Sequence, residues 1–304
     1  MTGINIVFFG STAESVIVLS RLSNLKIENW KLEIVCVVTQ PPRPVGRHQE
    51  LMPTQVETWA KTNNIPVLSF ASNKNTPWLY ENEQAVIDSI QPFKADLIVS
   101  ASYGQKIPMQ TITDATYGGL NVHPSLLPRW RGADPTPWAI MSGDHQTGVT
   151  IITLTENFDE GKIIAQKKIP ILPTDTTKTL YPKLFTLGAD LLIDTISTFK
   201  GVSFQGHPQG TSPTPYARRL TKQDGFVAWD TIKQATEGKG AIEVDRKFRA
   251  LDPWPGIWTI INEKRLKILK LHLYEGKLVI DEVQLEGKNP TSFAQFSSAY
   301  PTTS

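Results

Sequence analysis

Short apolar runs alternate with helix-period stretches over the first two hundred residues. Residues 4–9 form a continuous apolar run broken only by Asn5, and it ends at Gly10. Further runs lie at 32–38, 67–68, 97–99, 120–122 and 149–154, the third of them weak. Between several of them, apolar positions recur at helical spacing over 13–22, 54–63, 78–90 and 136–142. Short apolar strands alternating with helices predict an α/β unit whose mostly parallel sheet is covered on both faces. Residues 177–199 read as one long amphipathic helix closing that unit.

The pattern then changes. Residues 200–215 are dense in Gly and Pro and lack a period, which is linker composition. Beyond them come a helical patch at 242–250 and strands near 257–261, 266–272 and 278–285, joined by turns at 262–264 and 274–276. The expected organisation is a larger domain over 1–200, a linker over 201–215, and a small, mainly β domain over 216–304. No internal repeat or low-complexity tract is evident.

Composition narrows the class. With 304 residues, 40% hydrophobic and 20% charged, the chain reads as a soluble globular protein of two domains. No run of about 18 apolar residues indicates a membrane span, and the N-terminus has no signal-peptide pattern. The single cysteine, Cys36, sits in an apolar run, which predicts a buried thiol and fits a reducing cytoplasm. Residues 201–304 carry 14 Lys and Arg against 11 Asp and Glu, and the remainder 17 against 18. The mildly basic C-terminal third permits contact with a polyanion without demanding it.

The densest chemistry lies in residues 119–132, Gly-Leu-Asn-Val-His-Pro-Ser-Leu-Leu-Pro-Arg-Trp-Arg-Gly. An apolar strand delivers Asn121 and His123 two positions apart, so both side chains share a face at the strand's carboxyl end, where open parallel sheets bind ligands. An amide N–H can stabilise an oxyanion, and an imidazole can move a proton near neutral pH. Asn and His at a strand end also commonly do no more than satisfy loop carbonyls. Residues 156–161, Glu-Asn-Phe-Asp-Glu-Gly, form an acidic turn between two strands, and Asp159 gains chemical interest only if it faces His123. Residues 41–48, with Arg43 and Arg47 among three prolines, read as a mobile basic loop beside the strand ends, or as an ordinary solvated loop. There is no G-x-G-x-x-G fingerprint, P-loop or G-x-S-x-G elbow, and one Cys with five dispersed His gives no metal-ligand spacing.

Taken with Thr147-Gly148-Val149-Thr150 and Phe158-Asp159-Glu160-Gly161, the 121–132 stretch resembles the signature of folate-dependent formyltransferases. Residues 39–47 with Leu51-Met52-Pro53, residues 216–222, residues 249–256 and residues 284–293 further resemble the branch of that family that acts on methionyl-tRNA. The resemblance runs in family order over nearly the whole chain. It implies a Rossmann-like formyltransferase domain plus an OB-like β domain. The latter would be reduced, because only a short 271–276 connection stands where typical members carry a longer, strand-bearing stretch.

It also implies transfer of a formyl group from 10-formyltetrahydrofolate to the amine of charged initiator tRNA. Asn121 and His123 would donate to the oxyanion and Asp159 would hold His123. Tyr103, Gly104, Ser125, Leu126, Leu127 and Pro128 would line the folate pocket, although Ser100-Ala101-Ser102 is less apolar than usual before Tyr-Gly. Arg43, Arg47, Arg218, Arg219 and Lys222 would contact tRNA, with a further basic edge from Lys264, Arg265, Lys267 and Lys270. The expected enzyme is a cytoplasmic monomer without a metal or membrane attachment. Two alternatives stay open at this stage: a sugar-nucleotide amine formyltransferase, and a catalytically silent folate- or RNA-binding module.

Overall fold

A computed structural model describes residues 2–25, 30–46, 49–198, 204–210 and 212–300. In chain order the elements begin β1 (Thr2–Phe9), α1 (Ala13–Ser23), β2 (Trp30–Thr39), β3 (Arg43–Val45), β4 (Glu50–Met52), α2 (Gln55–Thr62), β5 (Val67–Ser69) and α3 (Glu83–Ile90). They continue with β6 (Leu97–Ala101), α4 (Met109–Asp114), β7 (Gly119–His123), α5 (Pro135–Met141), β8 (Gln146–Thr153), β9 (Ile163–Pro170) and α6 (Thr177–Ser197). The chain ends with α7 (Trp229–Thr236), α8 (Ala241–Ala250), β10 (Ile257–Ile261), β11 (Lys264–Tyr274), β12 (Lys277–Leu285), β13 (Thr291–Ser292) and α9 (Phe293–Ala299).

The chain divides into two compact units, and neither is one continuous segment. The first comprises Met1–Ala133, Thr147–Ile169 and Tyr181–Tyr216; the second comprises Asp134–Gln146, Pro170–Leu180 and Ala217–Ser304.

The first unit is built on a seven-stranded sheet in the order β5-β2-β1-β6-β7-β8-β9. β5, β2, β1, β6 and β7 run parallel, and β8 pairs antiparallel with β7. Alternation along β1 sends Ile4, Ile6 and Phe8 into one core, with α1, α2 and α6 supplying Val18, Val56 and Leu192. Val7 and Phe9 enter the other, against Val86 and Ile90 of α3 and Ile112 of α4. Two buried faces explain why the strands read as unbroken apolar runs. Cys36 sits in the second core, and burial pushes its thiol up to about 12, so it stays protonated and inert.

From β1 the chain moves to β2 and β5 on one side, then returns to β6 on the other. The reversal opens a crevice beyond the carboxyl ends of β1 and β6, and the carboxyl end of β7 lies along the same edge. Two local expectations change. The 78–90 helix starts only at Glu83, because Asn82 caps it by accepting the Ala85 N–H, and Tyr80 is held in a bridge with Ser72. The expected loop at 41–48 is in part a small hairpin, β3 against β4, whose strand residues are all exposed.

The second unit carries a four-stranded antiparallel sheet in the order β10-β11-β12-β13. Its core joins Ile257, Leu266, Ile268, Leu278 and Val283 of the sheet to Ile232 of α7, Val244 of α8 and Phe296 of α9, with Trp138 and Met141 of α5 packed against it. Asn262 and Glu263 both take positive φ, as do Glu275 and Gly276, so each hairpin closes through a two-residue turn of the hand that matches strand twist. Residues 271–274, expected as a connection, instead continue β11: Leu271, His272, Leu273 and Tyr274 each pair with β12. The register shift around Leu269 changes which alternate residues face out. Arg265 and Lys267 before it and Lys270 and His272 after it are therefore all exposed.

Candidate active site

The site is assembled at the end of β7 by two loops. β7 carries Asn121 and His123 on one face and ends at Pro124, which supplies no further ladder donor. The loop after it turns sharply, with Ser125 N–H donating to the His123 carbonyl at 2.9 Å and the Ser125 hydroxyl donating to the Arg129 carbonyl at 2.8 Å. Thr150 of β8 braces this loop: its hydroxyl donates to the Ser125 carbonyl at 2.6 Å and accepts the Leu127 N–H at 3.2 Å. The second loop, between β8 and β9, presents Asp159 at φ 57, in the left-handed region. Asp is among the few residues that enter this region readily, and such backbone clusters at functional sites. Gly161 is required in the same turn, because a Cβ there would lie 1.7 Å from the Thr153 carbonyl oxygen.

These loops bring the three sequence-predicted residues together. Asp159 Oδ1 lies 3.3 Å from His123 Nδ1, and the Asn121 amide approaches the same oxygen at 3.5 Å. Asp159 Oδ2 accepts the Gly132 N–H at 2.9 Å. His123 Nε2 lies 2.9 Å from the Trp130 carbonyl. Both imidazole nitrogens therefore face acceptors, and only the doubly protonated ring satisfies both.

The electrostatics agree. Burial, with 4% of the His123 side chain exposed, pulls its pKa down, but the Asp159 carboxylate and then the Trp130 carbonyl overcome it and hold it above the usual value. Burial likewise pushes the Asp159 carboxyl up, and His123, the Gly132 N–H and Arg131 together hold it below the usual carboxylate range. The result is a buried ion pair beside a half-buried Asn121 amide with hydrogen left to donate.

This balance yields a first prediction. In Asp159→Asn the groups that raise the His123 pKa are mostly removed while burial stays, so His123 should titrate below its ordinary value of about 6.5. In the intact protein it should titrate above that value. An NMR titration of the imidazole Cε1–H decides; a pKa unchanged by the substitution would contradict the pairing.

Other expected residues fall in varied places. Ser125 is buried in the braced loop, and Leu127 packs with Ile152 and Ile163. Leu126 and Pro128 are half-buried, and the Pro128 carbonyl accepts the Thr214 hydroxyl at 2.9 Å. Gly104 takes φ 86. The Tyr103 side chain packs edge-to-face on Phe9, 5.2 Å between ring centres, and its hydroxyl accepts that of Tyr80, so the ring is part of the core. Arg43 is exposed and its guanidinium donates to the Gln40 side-chain oxygen. Arg47 lies outside the described residues.

In the second unit Arg219 and Lys222 are exposed. Arg218 is bound to the Asp224 carboxylate, with one nitrogen at 2.9 Å, and lies over the Trp138 ring, 4.9 Å from its centre. Asp224 is correspondingly held below the usual carboxylate range, first by that hydrogen bond. Among the described residues no group of three or more His, Cys, Asp or Glu could hold a metal ion, and no helix is long and apolar enough to cross a membrane.

A strand-end Asn and His that converge on one carboxylate from a separate loop can offer hydrogen-bond donors and a mobile proton to a carbonyl group. Residues 4–196 match Formyl transferase, and residues 219–278 match Formyl transferase, C-terminal domain.

The chain belongs to the formyl transferase family.

Among proteins of that family, a methionyl-tRNA formyltransferase from Geotalea daltonii (strain DSM 22248 / JCM 15807 / FRC-32) is 32% identical over 297 residues, covering 90% of each chain. Solved structures share the fold. A sugar N-formyltransferase from Shewanella sp FDAARGOS_354 aligns with a TM-score of 0.60 at 17% identity, over 94% of this chain and 99% of the other. HypX from Aquifex aeolicus, solved in complex with tetrahydrofolic acid, aligns with a TM-score of 0.59 at 16% identity, over 97% of this chain and 47% of HypX. Sequence reasoning missed several residues that shape this candidate site. The Trp130 carbonyl and Gly132 N–H act through the backbone and leave no side-chain signal. Thr150 and Arg131 stood inside quoted motifs without a role, and Gln209 lay in a segment read as linker.

Proposed function

We propose that this enzyme transfers the formyl group of 10-formyltetrahydrofolate to the amino group of methionyl initiator tRNA. The observation that carries the reading is the convergence of Asn121 and His123 on Asp159 at the mouth of the sheet. The relative from Geotalea daltonii supports the acceptor, since it is similar over nine tenths of both chains and bears that activity in its name. The donor set fits a formyl donor: it offers N–H groups to a carbonyl oxygen and a proton carrier between two nitrogens.

Bound there, the folate supplies a formyl carbon already attached to nitrogen. Asn121 donates to the formyl oxygen as negative charge develops on it, an interaction that strengthens on the way to the transition state. His123, kept protonated by Asp159, adds positive charge beside that oxygen. Its proton passes to the departing nitrogen and is replaced by the one the attacking amine gives up, so the pair ends as it began. Nε2 is reserved by the Trp130 carbonyl, so delivery requires exchange of that carbonyl for substrate. Ser125, Leu126, Leu127, Pro128, Tyr103 and Gly104 are the proposed folate-side residues; for Tyr103 the contribution is through its backbone and loop, since its ring is in the core.

For tRNA we assign phosphate contacts to Arg43 and Arg47 and to Arg219, Lys222, Lys264, Arg265, Lys267 and Lys270 in the C-terminal region, 216–304. Arginine and lysine exposed on a sheet face suit charge-based docking. Arg218 and Lys270 are weaker candidates because Asp224 and Glu282 already hold them. The catalytic domain is assigned to 1–200, and the enzyme is proposed to act as a cytoplasmic monomer.

Acceptor competition tests the reading. Methionyl initiator tRNA should be formylated in the presence of 10-formyltetrahydrofolate, and an amino-sugar nucleotide at the same concentration should not. Formylation of the sugar with the tRNA untouched would move the protein to the sugar-nucleotide branch.

A further inference from the structure

We infer that Gln209 is a positioning residue for formyl transfer, its side-chain amide, keyed by Arg131, fixing the turn that carries Asp159 under His123. The inference rests on the reading of Asp159 and His123 as the reacting pair. It begins with a segment whose composition suggested only a connection. Within the first unit, residues 204–210 and 212–216 lie against both catalytic loops. His207 exchanges backbone hydrogen bonds with Ile163 at the start of β9, 2.9 and 3.0 Å. The Thr214 hydroxyl donates to the Pro128 carbonyl at 2.9 Å, and the Pro215 carbonyl accepts the Trp130 N–H at 3.1 Å. Arg131 and Tyr216 form a further bridge. The segment therefore straps the loop that holds the His123 acceptor to the loop that holds Asp159.

Gln209 is the side chain at the centre of that strap. Its amide nitrogen donates to two carbonyls, those of Asp159 at 2.6 Å and Gly161 at 2.8 Å, spanning the turn from one end to the other. Its oxygen accepts Arg131 Nε at 2.8 Å. The arrangement fixes the orientation of the amide, because the flipped form would set an oxygen against two carbonyls and an NH₂ against a guanidinium. Arg131 also reaches Glu160 of the same turn, at 3.4 Å, and its neighbour Gly132 donates to the Asp159 carboxylate. The strand pairing on either side sets where the loops begin and end. The Gln209 amide sets the conformation between Asp159 and Gly161, where Asp159 is left-handed and no strand ladder operates.

Gln209 touches no reacting group, so its effect must pass through Asp159. Among the described residues the charged group acting on the His123–Asp159 pair is Arg131, whose guanidinium is drawn onto both Glu160 and Gln209. Loosening the turn lets the Asp159 carboxylate move away from Nδ1, and burial then dominates the titration of His123.

The test measures Gln209→Ala in the full chain by two independent readouts. Turnover with methionyl tRNA should fall by about 10- to 100-fold, the scale of a small misplacement of a reacting group, with KM for both substrates nearly unchanged. The His123 titration, followed by NMR, should move to lower pH. The Arg131→Ala, Gln209→Ala double variant should be no more impaired than the worse single variant, since the two act through one turn. Gln209→Met keeps the side-chain volume and removes both donors, and serves in place of the alanine variant if that one fails to fold. Both readouts moving supports the assignment. Either one unmoved in a folded variant overturns it. If the wild-type protein proves unable to formylate methionyl tRNA, the acceptor reading fails separately, and the His123 titration alone decides the role of Gln209.

Discussion

Asn121→Ala is expected to lower kcat for formyl transfer by about 10²- to 10³-fold, the usual cost of removing one oxyanion donor. Asn121 is half-buried, and its amide makes a single long contact of 3.5 Å to Asp159 among the described residues, so little of the fold depends on it. Its N–H is also the donor most available to a substrate oxygen, because both His123 nitrogens already face acceptors. The loss should appear in kcat more than in folate affinity, since a neutral formyl oxygen gains less from the bond than the charged one. Folate binding measured alongside turnover separates the two. A drop in affinity equal to the drop in kcat/KM, with kcat retained, would show that Asn121 only holds the ground state.

His123→Ala should behave differently, through stability as well as turnover. The sequence places His123 at a strand end, where an alanine would be tolerated. The structure buries it and pairs it with Asp159, whose side chain is only 12% exposed. Removing one partner of a buried pair leaves the other charge without compensation, and costs of about 3–5 kcal/mol are typical. The value here should sit at the lower end, because Gly132 still donates to Asp159 and Arg131 stays near.

The pH dependence differs between the two proteins. In the wild type the Asp159 pKa is held below its unfolded value, so that stabilisation is present above the unfolded pKa and is lost as pH falls through the folded one. The raised His123 pKa contributes stability below the unfolded imidazole value that is lost as pH rises through the folded value. In the variant the His123 charge and hydrogen bond that lower the Asp159 pKa are gone, so it should rise, with only the Gly132 N–H and Arg131 still opposing burial. Protonation then relieves the penalty, and the stability deficit relative to wild type should shrink as pH falls from about 6 toward 5, below the unfolded imidazole value, where the wild-type His123 contribution is already nearly complete. Urea unfolding at a series of pH values measures it. A deficit that grows over that range would mean that Asp159 stays ionised for some other reason.

The sheet was legible because each of its central strands is buried on both faces and so carries an apolar run, as in residues 4–9 and 97–99. Helices with a strong period were legible for the same reason. α4, α7 and α9 were not: each has eight residues or fewer and buries only one or two of them. Parity along β7 was enough to put Asn121 and His123 on one face. The approach of Asp159 depended on β8 lying antiparallel beside β7, which no local pattern specifies. The second acceptor on the His123 ring is the Trp130 carbonyl, and the Gly132 N–H holds the Asp159 carboxylate; both are backbone groups, which carry no residue-specific signal. Basic residues mislead for a related reason: Arg218 reads as a free cation in a run of charge, yet Asp224, six residues on, neutralises it. The strap formed by residues 204–210 and 212–216 looked like a linker because it is held by hydrogen bonds to loops more than forty residues away and not by its own apolar pattern.

A single-turnover transfer of isotopically labelled formyl tests the central claim most directly. Enzyme in excess is mixed with 10-formyltetrahydrofolate labelled in the formyl carbon and with methionyl initiator tRNA, and the amino acid is released and identified. The account predicts label recovered as N-formylmethionine in proportion to the tRNA supplied, with the Asn121→Ala protein forming the same product far more slowly. Consumption of the folate with no label on methionine, or equal rates for the two proteins, would contradict it.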